Sequence, residues 1–398
     1  MSIFNSLGSN YDFVFVIKSL AHSNRLVYHS KLQHLLQKEY DGKTFLLYKG
    51  REAIILALRS LNLPIGSYVA INGFTCFAVY EAVKNAGFKV EYLDIGKDDL
   101  NFSPETLQKS LVKNSKIKVV IIQNTLGYPC QIEEIAQICK ENKIVLIEDL
   151  AHSIGTKYSN GSETGTIGDI VVLSFSQDKI IDGISGGALI IRRGVKLIQM
   201  EGGLRWHLPK KQLINRLYPL LTYLIRNTYS FGLGKLLHFI LKSLKFLQNP
   251  METGNGEIHQ LPAWYCNLIK HQFEKSEESL IYRKKIATIY AEEINQNILS
   301  TQIKKLIPFS SNLRFPIFVE NRDSLINYLK KHGVYVSDIW YDAPISPKRF
   351  MKQTNYSEQC PNAELMSKEI LNLPTHINVS EKNAKEISHL INQWLKLQ

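Results

Sequence analysis

Lys179 stands in a short polar loop, Ser176-Gln177-Asp178-Lys179, a few residues ahead of Ser185-Gly186-Gly187. Upstream, an apolar run closes on Glu148-Asp149, and His152 follows three residues beyond the aspartate. A glycine-rich stretch, Gly161–Gly168, then leads through Asp169 to a second apolar run ending in Ser174. A lysine amine that has lost its proton attacks aldehydes and holds them as Schiff bases. A carboxylate keeps a ring nitrogen protonated, and hydroxyl and backbone N–H groups hold a phosphate. A pyridine-ring cofactor needs these parts together. Taken singly, each residue has an ordinary alternative. A loop lysine is normally solvated, an aspartate after a strand normally caps a helix, and a lone histidine normally satisfies a helix turn. Their joint order and spacing carry the signal.

The elements that must position them alternate from about residue 45 to 200. Ser67–Asn72, Lys89–Leu93, Lys118–Gln123, Ile144–Ile147, Asp169–Ser174 and Ala188–Ile191 read as strands, with helical stretches over Val79–Ala86 and Ile132–Glu141. Strands that are apolar throughout and alternate with helices imply an α/β fold with a mostly parallel sheet covered on both faces. Ligands of such sheets sit beyond the carboxyl ends of the strands, so Asp149 and Lys179 can converge at one sheet edge. Further on, Ser276–Asn295 reads as a long charged helix. Ser311–Glu320, Arg322–Gly333 and Val334–Tyr341 read as strand, helix and strand, and Asn383–Trp394 as a terminal helix. The expected division is an N-terminal segment over 1–44, a large domain over 45–203, a basic apolar helical insertion over 204–255, and a small α+β domain over 256–398.

Residues 147–191, IEDLAHSIGTKYSNGSETGTIGDIVVLSFSQDKIIDGISGGALII, resemble the cofactor segment of the DegT/StrS-type sugar aminotransferases. That pattern runs Glu-Asp-x-Ala-His/Gln, Gly-Asp, Ser-Phe, Lys, Gly-Gly. The resemblance implies the fold type I, aspartate-aminotransferase-like architecture and pyridoxal 5′-phosphate (PLP) as cofactor. It implies that Asp149 pairs with the pyridine nitrogen, His152 lies near the ring hydroxyl, Ser174 holds the phosphate and Lys179 carries the aldehyde. Family members that dehydrate sugars carry histidine at the lysine position, so Lys179 speaks for amino transfer. The implied substrates are an amino donor, glutamate, and a nucleotide-linked ketosugar, and the implied assembly is a homodimer in polysaccharide biosynthesis. Alternatives are a PLP enzyme for a non-sugar keto compound and a non-catalytic, membrane-associated member of the family.

Lys49-Gly50-Arg51-Glu52 precedes the helix Ile54–Leu61. In the family a Gly-Thr-Ala turn here offers N–H groups and the helix dipole to the phosphate. Arg51 and Glu52 replace its small residues, so backbone contacts from Gly50, Arg51 and Glu52 remain and Arg51 can add charge. The alternative is an ordinary first helical turn. Phe74-Thr75-Cys76-Phe77 resembles the segment whose aromatic residue stacks on the ring. The best register puts Cys76 there, a slip puts Phe77 or Phe74 there, and both phenylalanines also suit a core. Asn124 stands where the family often has histidine; it supports Asp149 or caps the turn after it. Ser185 departs from the family's glutamate, and the family's Asn-Tyr-Arg element has no clean match, with Asn255 and His259 as candidates. Arg283 with Tyr290, Tyr341–Pro344 and Leu371–His376 resemble small-domain segments of the family.

Hydrophobic content of 44% with 21% charged residues suits an ordinary globular protein. The five cysteines form no CxxC pair and no metal-like spacing with histidine, so reduced thiols and no metal are expected. The start, MSIFNSLGSNYDF, has no secretory pattern, and the expected location is the cytoplasm. A net charge of +12 favours anionic partners. No zinc finger, RNP-like strand or basic-aromatic repeat speaks for nucleic acid. The charge is uneven: Leu204–Pro250 holds eight Lys or Arg and no Asp or Glu. Within 212–248, Leu217–Ile225 and Leu236–Leu247 suit an anionic membrane surface at the inner membrane face, or pack on a dimer or cover the site. The apolar runs are too short to span a bilayer.

Overall fold

The computed structural model describes residues 2–21, 23–192, 195, 205–206, 209–247, 253–336 and 340–398. The large sheet has nine strands among the described residues, seven of them five or six residues long: β1 (Lys43–Leu47), β2 (Tyr68–Asn72), β3 (Lys89–Leu93), β4 (Ile117–Ile122), β5 (Val145–Asp149), β6 (Ile170–Ser174) and β7 (Gly187–Ile191). Their order is β1-β7-β6-β5-β4-β2-β3. The strands β3, β2, β4, β5 and β6 run parallel, and β7 lies antiparallel between β6 and β1. Side chains alternate between two cores. Val119 and Ile121 of β4 join one cluster, and Val120 and Ile122 join another on the opposite face. Burial on both faces is why these strands read as continuous apolar runs rather than alternating ones.

The helix Gly50–Ser60 packs on β6 and β7. Its Ala53, Ile54 and Ala57 belong to the same core as Val172 and Leu189. Residues 256–274, expected with the small domain, serve the large one. Gln260 of the short strand His259–Gln260 pairs with Leu47 of β1. Helix Ala263–Glu274 buries Trp264, Tyr265 and Leu268 in the core that also holds Val171 and Leu173.

The small unit pairs strands Arg314–Phe318 and Ile370–Pro374 antiparallel under helices Ser276–Glu293, Arg322–Lys331 and Glu381–Leu395. Ser380 and Asn383 form a capping box that starts the last helix. The expected strand over 334–341 is shorter. Val334–Tyr335 pairs in parallel with Ile3–Phe4, and residues 337–339 lie outside the described ones. The first residues of the chain are therefore part of this unit. The basic apolar insertion folds as helices Pro209–Thr228 and Leu233–Ser243.

Candidate active site

The carboxyl ends of the parallel strands open on one cavity. Its lining brings together Asp149 from β5, Ser174 from β6, Gln123 just past β4, Cys76, Lys179, and Lys49-Gly50-Arg51 at the start of helix Gly50–Ser60. Trp340 completes the lining. Asp149 and Lys179, thirty positions apart in the chain, thus face the same space.

Burial dominates the electrostatics of this pair. Asp149 is 3% exposed. Burial pushes its carboxyl up to about 6, against the Ala151 N–H donated to Oδ1 at 3.0 Å and the nearby Lys179 charge. Burial likewise lowers the Lys179 amine from its usual value, with the carboxylates of Asp149 and Asp178 acting in the opposite sense. A lowered lysine is the form that attacks an aldehyde, and a buried carboxylate with so little compensation suits a cationic ring nitrogen.

The part of the lining at the helix start suits a phosphate. Lys49, extended at the helix N-cap, gives no side-chain cap, so the helix start meets the cavity through backbone. Glycine is required there. A Cβ on Gly50 would lie 2.7 Å from the Ser174 Cβ, and one on Gly187 would lie 2.5 Å from the Gly50 nitrogen. The cradle, the acid and the amine fit the group that the resemblance implies, PLP.

Other expected contacts divide. Arg51 lines the cavity, and its guanidinium pairs with Glu81. Glu52 does not line it. Its carboxylate accepts the His259 backbone N–H at 2.9 Å and meets the His259 ring at 3.4 Å, tying the helix to the sheet edge. Cys76 lines the cavity and caps the helix Phe77–Asn85, its sulfur accepting the Ala78 N–H at 3.4 Å. Phe77 faces the core, stacked on Phe350 at 4.7 Å, and Phe74 packs on Tyr341. Asn124 also turns away: it donates to the Tyr158 hydroxyl and accepts the Cys130 N–H, holding the turn after β4.

His152 is buried behind Trp340, the rings 5.0 Å apart and nearly parallel. Burial, with Lys179 and Arg314 adding to it, keeps its imidazole neutral. Its Nδ1 accepts the Leu126 N–H at 3.2 Å, which assigns the proton to Nε2. Trp340 itself lies under the Lys179 amine, 4.3 Å from nitrogen to ring centroid. Neither Trp340 nor Gln123 is among the residues expected from sequence. Gln123 directly follows a buried strand and so had a positional signal; Trp340 comes from the small unit and had none.

A third unforeseen feature fixes the lysine loop. Ser9 donates to Asp178, Asn10 donates to the Lys179 carbonyl at 2.8 Å, and Tyr11 donates to Asp182. Arg283 of the small unit donates in turn to the Asn10 side-chain oxygen at 2.6 Å. The N-terminal segment thus bridges the loop and the small unit.

A model of the DegT/DnrJ/EryC1/StrS aminotransferase family matches residues 44–207 and 243–392. Similar proteins include a pleiotropic regulatory protein of Geobacillus stearothermophilus, 24% identical over 87% of this chain and 83% of that one. UDP-4-amino-4,6-dideoxy-N-acetyl-β-L-altrosamine transaminase of Campylobacter jejuni is 27% identical over 87% of this chain and 84% of its own. Among solved structures, Helicobacter pylori PseC, an aminotransferase involved in the biosynthesis of pseudoaminic acid, superposes with a TM-score of 0.73 at 16% identity over 100% of both chains. With the match spanning both the large sheet and the small unit, this chain belongs to the DegT/DnrJ/EryC1/StrS aminotransferase family.

Proposed function

We propose that this chain moves an amino group from an amino acid, glutamate, to the keto carbon of a nucleotide-linked sugar, with PLP held in the cavity just described. The observation that carries the reading is the meeting of the Lys179 amine and the Asp149 carboxylate beside a glycine-built helix N-terminus. The names of relatives support the substrate class: besides the altrosamine transaminase, GDP-perosamine synthase of Escherichia coli O157:H7 is 23% identical over 87% of this chain and 84% of its own.

Bound PLP supplies an aldehyde for the amine and an electron sink for the carbon that loses its proton. Lys179 Nζ takes the proton from the substrate Cα and returns it on the other side of the transfer, as base and then acid. Asp149 would keep a proton on the ring nitrogen. The Ser174 hydroxyl and the backbone N–H groups at Gly50 and Arg51 would hold the phosphate. His152, locked in one tautomer, would support Trp340 from behind rather than meet the ring directly. Trp340 and Cys76 flank the reacting centre and exclude water.

The chain acts as a homodimer in the cytoplasm, in polysaccharide biosynthesis; the cysteines, thiols rather than disulfides in the fold, agree with a reducing compartment. The test is a half-reaction. Glutamate added to the PLP-loaded protein should bleach the visible cofactor band and release 2-oxoglutarate in equal amount, and a panel of nucleotide-linked ketosugars should restore it. A cofactor-loaded protein inert to every amino acid would overturn amino transfer, and restoration only by non-sugar keto acids would overturn the sugar.

A further inference from the structure

The helical insertion carries a face that the candidate active site does not use. Helix Leu233–Ser243 rests on the preceding helix through Gly234, whose Cβ would lie 2.3 Å from the Ile225 carbonyl oxygen. That backbone contact turns the opposite side outward. Leu233, Leu236, Ile240 and Leu244 form one stripe at about 3.6 residues per turn, and they are 42–61% exposed. Phe231 and Phe239 flank it at 85% and 71%. Contiguous exposed apolar surface of this kind marks an interaction site.

Charge decides what covers it. No acidic residue occurs from 204 through 250, against eight Lys or Arg. Beside the stripe, Lys235 shares an open groove with Lys330, Lys331 and His332 of the small unit, and no carboxylate lines that groove among the described residues. A second copy seated by twofold symmetry would set these cations against themselves. A bilayer with anionic headgroups satisfies both features, with its acyl boundary taking the leucines and phenylalanines and its headgroups the lysines. Residues 208–242 also fall between the two stretches that match the family model. No described helix is long and apolar enough to cross a membrane, which restricts the contact to the surface.

We propose that the stripe on Leu233–Ser243 and the adjoining lysine groove dock this protein on the surface of an anionic membrane. Sedimentation of the full chain with vesicles tests it, using phosphatidylcholine alone and phosphatidylcholine mixed with phosphatidylglycerol. The wild type should pellet with the anionic vesicles, far less with the neutral ones, and return to solution as salt rises. Leu236→Glu with Ile240→Glu, at exposed positions that leave the fold intact, should abolish pelleting. Lys235→Gln, Lys330→Gln and Lys331→Gln together should weaken it roughly a hundredfold, at about fivefold per lysine near the surface. Cofactor absorbance should be the same in all variants. A wild type that stays in solution with both vesicles would overturn the proposal, as would equal pelleting by the triple lysine variant. A smaller species of the Leu236→Glu, Ile240→Glu protein without vesicles would instead assign the stripe to a second copy.

Discussion

Asp149 occupies a position that destabilises the empty protein and becomes favourable once a cation arrives. Its folded carboxyl titrates near 6 rather than 3.8, so the raised value favours the protonated acid. Stability from that proton is full below about pH 4 and is lost as pH rises through 6, in total about 3 kcal/mol at roughly 1.4 kcal/mol per pKa unit. Asp149→Asn should therefore melt like the wild type near pH 4 and be more stable above pH 6 in denaturant titrations without cofactor. The same variant should lose amino transfer by at least about a hundredfold, since a neutral amide does not hold the ring proton. Equal stability of the two proteins at pH 8 would contradict the assignment. Gly50→Ala tests the cradle. Its Cβ would lie 2.7 Å from the Ser174 Cβ, so the helix start must move, and overpacking of this kind typically costs about 1–3 kcal/mol. PLP titrations should show affinity falling by about tenfold or more, given that 1.4 kcal/mol is a factor of ten.

At the scale of elements, much was legible because burial on both faces leaves an unbroken apolar signal. Lys89–Leu93 is the same strand in sequence and structure, and Ile117–Ile122 differs from the expected run by one residue at each end. Strand Lys43–Leu47 was not among the strands expected from sequence. The candidate site was legible as a segment: its Asp149, Ser174 and Lys179 line one cavity, and His152 lies behind Trp340. Residues outside that segment were harder. Glu52 and Asn124 are polar residues at promising positions, but hydrogen bonds to His259, Tyr158 and Cys130 engage them locally. The Lys179 loop is held by contacts 169 positions away, which no local pattern records. Asn10→Ala removes the donor to the Lys179 carbonyl and the acceptor for Arg283. It should cost about 1–3 kcal/mol, the penalty of leaving buried polar groups unmade, and cofactor capture should slow. Unchanged capture kinetics would show that the loop holds itself.

Over the whole molecule, the small unit is joined to the site by the chain's own beginning. Ile3–Phe4 pairs with Val334–Tyr335, and residues 9–11 grip the loop that carries Lys179. Deleting residues 1–11 should lower the thermal midpoint and the fraction of protein that takes up PLP together; a truncated protein with full uptake would confine this segment to a peripheral role. The proposed chemistry rests on one covalent bond at one lysine. Borohydride reduction of the PLP-loaded protein, followed by peptide mass mapping, reads that bond directly. The cofactor's mass should appear on the peptide containing Lys179 and disappear in Lys179→Ala. Label on a different lysine, or none in the wild type, would contradict it.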